Sequence, residues 1–462
     1  MANENGNSKL NNCIANLKDH ISKIPPESTI VDNILEAAYQ ANCKVIRLKK
    51  SIYIKKGLGP KAIFHLNIDN PTDISYNFSS IDEEAAIVSN TAVNLMASSL
   101  IITYLITSSS LEFDVLVTYS NIQSKFEEYE QLREILRTDK VINLNLRQAD
   151  CLADEFSSLL LSLVTVPIER FDADFDYKTY RLSLKNLMGG HAGDNINKVR
   201  MNSIKMILGI FRKMKSKVDL DMLSLTGGDR YDNIPSFAEI DFIINENYEN
   251  DLLNTFEIYK NEAIEKNLRY EPDMSLICQE IEPEDISPIS TESFNHLASL
   301  IELSPTGTFA VNSIDNQIIS SSNLATIRSF DDSINMIQVF RSLTEEGMSQ
   351  MVKKSKMAAM IAKSDFKEKL FMPSWLNSDK NLTKSFVNAY RDLFNDDLDV
   401  IKTQYSLDSS IVFRNLNVKM VSLGVKYKQE GQYFYTQINE LARVIILLEK
   451  VLDKLKEDEE HV

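Results

Sequence analysis

Apolar residues fall along this chain in two styles. In the first third, short apolar runs alternate with helical spacing. Ile52 with Ile54, then Ala62 to Ile68, read as strands. Glu83 to Thr107 carries Ile87, Leu95, Met96, Ile102 and Leu105 at helical intervals and predicts a helix. Phe113 to Tyr119 predicts a buried strand, Gln123 to Arg137 a helix with a polar face, and Val141 to Leu146 another strand. Strand and helix alternating at these lengths predict an α/β domain with a largely parallel sheet.

The middle follows a different rule. From about Arg181 the order is strand, glycine turn, a long helix over Val199 to Lys215, strands such as Ser236 to Ile244, and a helix near Asp251 to Lys266. This order suits a two-layer α+β insertion. A strand at Ile334 to Phe340 precedes a helix from Ser342 to about Ala362. Its Leu343, Met348, Met351 and Met360 read as core filler, since flexible thioethers suit irregular gaps. The end returns to the first style. Val418 to Leu423 predicts a strand, and Gln437 to Leu455 an amphipathic helix through Ile438, Leu441, Ile445, Leu448 and Leu452. The closing EDEEHV sets acids against the negative end of a helix and predicts fraying. No internal repeat of fixed period is visible.

Composition narrows the function. The composition, 44% hydrophobic and 25% charged, excludes disorder over most of the chain, and the length of 462 residues favours two to three domains or one large domain with an insertion. Fifty basic residues against 66 acids give a net charge of −16, which repels a phosphate backbone and argues against nucleic acid. No run reaches the roughly 20 apolar residues of a membrane span. The start, MANENGNSKLNNC, lacks the basic-then-apolar order of a secretory signal. Cys13, Cys43, Cys151 and Cys278 lie far apart and read as reduced thiols, so the expected location is the cytoplasm. Only five histidines are present, which limits any metal centre.

The first distinctive stretch is Gly189-Gly190-His191-Ala192-Gly193-Asp194. Its glycines let backbone approach a ligand, but no phosphate-loop lysine follows. The longer run GGHAGDNINKVRMNSIKMI resembles the lid-domain motif of the bacterial aminoacyl-histidine dipeptidases, carnosinase-like di-zinc metallopeptidases. Arg200, Asn202 and Lys205 match its R-x-N-x-x-K. In the same order along the chain, Ile21 to Pro25, Gly227-Gly228 to Pro235, Ser304-Pro305-Thr306-Gly307, Ser322-Asn323-Leu324, Arg341-Ser342-Leu343, Trp375 and Met420 to Gly424 resemble further family segments. The resemblance implies an α/β, zinc-peptidase-like parallel-sheet domain interrupted by an α+β lid or dimerisation domain. The expected division is 1–184 plus 385–462 for the first and 185–384 for the second.

The chemistry departs from the family. A di-zinc peptidase needs imidazoles and carboxylates to hold the metals, and a glutamate to take a proton from the bridging water. Read against the family pattern, its H-x-D becomes Asn67-Ile68-Asp69. Its bridging Asp becomes Ser89, its Glu-Glu pair Asn121-Ile122, and its later Asp Asn145. Its late histidine loop falls within Lys428 to Tyr433, which has none. Only Asp69 remains, and in the family its role is to orient a ligand that is missing here. On the substrate side His191 and Asn233 are kept, while Ala310 replaces an arginine and Gln404-Tyr405-Ser406-Leu407-Asp408 replaces a histidine-bearing stretch.

These replacements lead to an expected pseudoenzyme with no catalytic residue, no metal and no cofactor. Its expected role is that of a binding or scaffold protein, as a homodimer or in a heteromeric complex. The alternatives are an active hydrolase with an unconventional site, and a small-peptide sensor built on His191 and Asn233.

Overall fold

The computed structural model describes residues 2–25, 28–68, 78–81, 84–89, 93–119, 127–148, 150–283, 285–377, 380–430 and 433–460. The chain divides into two compact units, 1–156 with 375–403 and 407–462, and 157–374 with 404–406. The divisions thus fall near 157 and 374 rather than at 185 and 384. Pairing decides this. Ser158–Pro167 and Tyr177–Lys185 hydrogen-bond to strands of the second unit, Ser333–Ser342 and Ala238–Asn245 respectively.

The first unit is built on a nine-stranded mixed sheet, counted among the described residues. Its centre is parallel: Phe113–Thr118, Ile63–Asn67, Lys140–Asn143 and Lys419–Leu423 lie side by side. Its flanks are antiparallel, through Ser51–Lys56 on one side and Cys151–Phe156 on the other, so the sheet is less parallel than expected. Alternate residues feed two cores. Phe64, Leu66, Val115 and Val117 meet the helices Val93–Ser108 and Ile438–Glu460. Ile63, Leu116, Val141 and Met420 meet Leu132, Val412 and Phe413. The helix Val93–Ser108 is apolar nearly all round and is accordingly buried.

Three local expectations change. Glu84–Ser89 is a strand, not the start of a helix; its β-branched Ile87 and Val88 pair with Tyr433–Gln437. The sequence-expected helix at Val199 starts only at Ser203, where the Asn202 side chain accepts the Lys205 N–H as cap. The C-terminal helix runs to Glu460 through its acidic end.

The second unit carries an antiparallel sheet of nine described strands. Its order contains a duplication invisible in the sequence. Tyr177–Lys185, helix Ser203–Lys215, Leu220–Gly227, Ala238–Asn245, helix Glu249–Asn267 and Ser275–Glu280 form one β-α-β-β-α-β set. Ser158–Pro167, helix Thr291–Leu303, Ile318–Ser329, Ser333–Ser342, helix Glu345–Ile361 and Asp365–Met372 form a second. Each set orders its strands fourth, first, third, second, a split β-α-β arrangement, and the two second strands meet at Gly227 and Ile327. Gly227 is required there, because a Cβ would lie 2.7 Å from Ile204 and 2.9 Å from Ala238.

Candidate functional site

In the first unit two of the singled-out positions, Asn67 and Asn145, lie at the carboxyl ends of the parallel strands Ile63–Asn67 and Lys140–Asn143, where open α/β sheets place their ligands. Register brings Asn67 opposite Thr118 and His65 opposite Asn143. The Asn145 side chain accepts the Asn67 N–H at 2.8 Å and donates to the Asn67 carbonyl at 2.9 Å. Asn143 Nδ2 donates to Asn145 Oδ1 at 3.0 Å, and Ser422 donates to Asn143 Oδ1 at 2.6 Å. Asn67 Nδ2 reaches Asp408 at 3.3 Å.

His65 is fully buried, and both ring nitrogens are engaged. Nδ1 faces Asn143 Nδ2 at 3.0 Å and therefore accepts, which leaves the proton on Nε2, 3.0 Å from Thr118 Oγ1. Thr118 passes its own hydrogen to Asn67 Oδ1 at 2.7 Å. Burial drives the His65 pKa down to about 3, and its ring packs edge-on against Phe413. His65 is thus a neutral core side chain, two residues before Asn67 on the same strand.

A di-zinc centre does not fit these donors. Amides and hydroxyls are poor zinc ligands beside imidazole and carboxylate, and those present are bonded to one another. Among the described residues no group of three or more His, Cys, Asp or Glu is placed to hold a metal ion. Asp69, Asn121 and Ile122 lie outside the described residues. Ser89 ends its strand opposite Phe434.

The second unit brings the other two singled-out residues together. His191 and Asn233 face each other in a two-residue antiparallel bridge. The His191 Nδ1 accepts the Gly193 N–H at 3.1 Å and caps the turn Ala192–Asn195. Its ring stacks on Tyr405 at 4.8 Å and 20°, and the Tyr405 hydroxyl donates to Asp194. Burial works to raise the Asp232 pKa, but the fork from Arg230, at 2.9 and 2.8 Å, and the nearby His191 hold it below the usual carboxylate range. Asn323 donates to the Asn233 carbonyl at 2.7 Å.

Sequence reasoning missed Arg341 here, reading it only as part of a strand motif. It is 4% exposed; one Nη donates to the Gln404 carbonyl at 3.2 Å, and its Nε has no partner. Burial pushes its guanidinium below the ordinary value, against Asp232, Tyr231, Tyr405 and Asp194. The available signal was a charged residue between apolar Phe340 and Leu343 in a strand. Other motif residues are architectural. Lys205 holds the Ser304 carbonyl at 2.7 Å, and a Cβ on Gly228, at φ +65°, would lie 2.0 Å from the Ala325 carbonyl oxygen.

No protein-family model matches the chain. A 225-residue stretch is 24% identical to the cytosol non-specific dipeptidase of Escherichia coli, covering 47% of this chain and 45% of that one, so the match spans about half of the relative's length. Among solved structures, the aminoacylhistidine dipeptidase of Vibrio alginolyticus aligns at TM-score 0.72 and 19% identity over 95% of this chain and 96% of that chain. A tripeptidase of Staphylococcus aureus aligns at 0.51 and 12% identity, over 97% of this chain and 98% of that chain. These likenesses are of fold.

Proposed function

We propose that the chain is a member of the aminoacyl-histidine dipeptidase family, and a non-catalytic one that works as a protein-binding or scaffold component. The observation that carries this reading is the closed hydrogen-bond network of Asn67, Asn143, Asn145, Thr118 and His65. A hydrolytic site needs donors that are free to take a metal and a base that can accept a proton. Here the amides satisfy one another, and the one histidine is neutral with both nitrogens engaged. The motif glycines Gly227 and Gly228 keep positions that a side chain could not take, and such retained shape beside a closed amide network supports a role in binding. On this reading the second unit is the lid, the first a degenerate catalytic domain, and the protein acts in the cytoplasm. Among the described residues no helix is long and apolar enough to cross a membrane.

Dipeptide hydrolysis tests the reading. The full chain, supplied with zinc and offered Xaa-His and other dipeptides, is expected to turn over none above background. Turnover that rises with added zinc overturns it.

One observation favours a second reading, a pocket that senses a small peptide. Arg341 is buried with an unpaired Nε, near Tyr405, Asp194 and Asp232 of the same unit. An unpaired buried guanidinium N–H is costly, and a ligand carboxylate would satisfy it. Saturable dipeptide binding that Arg341→Met abolishes supports this second reading; its absence leaves the scaffold.

A further inference from the structure

Within the first unit three helices, Ala2–Ser22, Ile30–Gln40 and Val93–Ser108, line a cavity of about 380 Å³. Small-molecule sites run from about 300 to 1,000 Å³. None of the lining residues belongs to the amide network around Asn67. The wall is polar where packed helices are ordinarily apolar. Asn16, Asp19 and His20 share one face of the first helix, beside the stripe of Cys13, Leu17 and Ile21 that enters the core. Asn33, Glu36 and Gln40 share a face of the second helix, and Thr103 and Thr107 a face of the third. Each helix contributes its carboxyl-terminal part. Helix C-termini carry partial negative charge and unpaired carbonyls, so three of them around one space favour a cation.

The hydrogen bonds of the wall favour the same sign. His20 Nε2 lies 3.0 Å from Thr103 Oγ1, and Thr103 gives its own hydrogen to the Leu100 carbonyl at 3.1 Å. The imidazole proton therefore sits on Nε2, and Nδ1 is left as an acceptor to which no described residue donates. Burial holds this imidazole below its ordinary pKa. Asn33 is 6% exposed. Its amide nitrogen gives to Ser28 Oγ at 2.7 Å and to the Thr29 carbonyl at 3.1 Å, while its Oδ1 receives nothing from the described residues. Gln40 gives to Glu36, and Lys23 to Asp19. These donors are spent on the wall itself, and acceptors are left over. Two acids, Asp19 and Glu36, against Lys23 leave the lining one negative charge.

We propose that this cavity binds a small aliphatic amine or guanidinium cation. Such a ligand brings only donors at its charged end. His20 Nδ1, Asn33 Oδ1 and the Asp19 and Glu36 carboxylates accept them, and the methylenes lie against Ile24, Pro25 and Ala37. A bare metal ion would leave most of the space unfilled. An anion would meet surplus acceptors and the negative ends of three helices. The net charge of −16 draws cations toward the chain. Binding here is independent of whether the first unit is catalytic, since its readout is ligand uptake and not turnover.

Isothermal titration calorimetry of the full chain with agmatine and with spermidine tests it. At least one of the two is expected to bind saturably, one per chain, while succinate gives no heat of binding. Thr107→Phe fills space at an exposed position of the wall without changing charge, and it should weaken binding by about tenfold or more. Glu36→Gln, also exposed, should do the same by removing an acceptor. Glu134→Gln removes an equal charge from an exposed helix outside the cavity and should leave binding as it is. Unchanged circular dichroism melting confirms that the variants fold. Failure of both cations to bind saturably, binding of succinate as well, or an affinity that Glu134→Gln lowers as much as Thr107→Phe and Glu36→Gln overturns the proposal.

Discussion

Asn145 holds Asn67 twice: its side-chain oxygen takes the Asn67 N–H at 2.8 Å, and its nitrogen gives to the Asn67 carbonyl at 2.9 Å. An amide side chain here imitates the next rung of a β ladder. A carboxylate at this position could accept but not donate.

Asn145→Asp is therefore expected to destabilise the first unit. The new oxygen would face the Asn67 carbonyl, and a lost buried donor costs about 1 to 3 kcal/mol. Denaturant unfolding reads this directly, and on the proposed function the variant gains no dipeptidase activity.

His65 should make the chain sensitive to acid. Burial pushes its pKa down to about 3 in the folded chain, against an ordinary value of 6.5. The unfolded state thus takes a proton first as pH falls. Stability present above about pH 6.5 is lost progressively toward pH 3, at about 1.4 kcal/mol per pH unit for this one group. His65→Gln should flatten that slope relative to wild type between pH 6 and 4. An identical slope in both proteins would contradict the buried, neutral assignment.

Asp114 is wholly buried, with the Arg137 guanidinium on both oxygens and the Tyr53 hydroxyl on one. Asp114→Asn leaves Arg137 without its counter-charge. Breaking a buried pair from one side costs about 3 to 5 kcal/mol. A melting temperature within a degree of wild type would show that the pair is solvated in solution.

Arg341→Met should behave in the opposite way. The Gln404 carbonyl keeps the Ser157 hydroxyl at 2.7 Å, and the unpaired Nε disappears. The expected change in stability is within about 1 kcal/mol, of either sign. A loss of several kcal/mol would mean that the guanidinium is fully satisfied in the folded protein.

Much of the architecture was legible because it is written in local spacing. Ile438–Glu460 follows its apolar stripe, and Phe113–Thr118 its unbroken apolar run. Glu84–Ser89 was not legible, since its partner Tyr433–Gln437 lies some 350 residues away in the chain and pairing outweighs local periodicity. The duplication of the second unit was hidden for a related reason: one set starts with Ser158–Pro167 and resumes only after the other is complete. At the site, Asn67, Asn145, His191 and Asn233 could be singled out by motif position. Asn143 and Thr118 could not, because hydrogen-bonding asparagine and threonine leave no periodic trace. Arg341 was overlooked because its strand reads as apolar around it.

The central claim of the proposed function is that a closed amide network stands where the resemblance places metal ligands. Metal content tests it most directly: the full chain is dialysed against zinc, freed of excess, and analysed by elemental mass spectrometry. The account predicts well under one equivalent of zinc per chain. Two tightly held equivalents would contradict it.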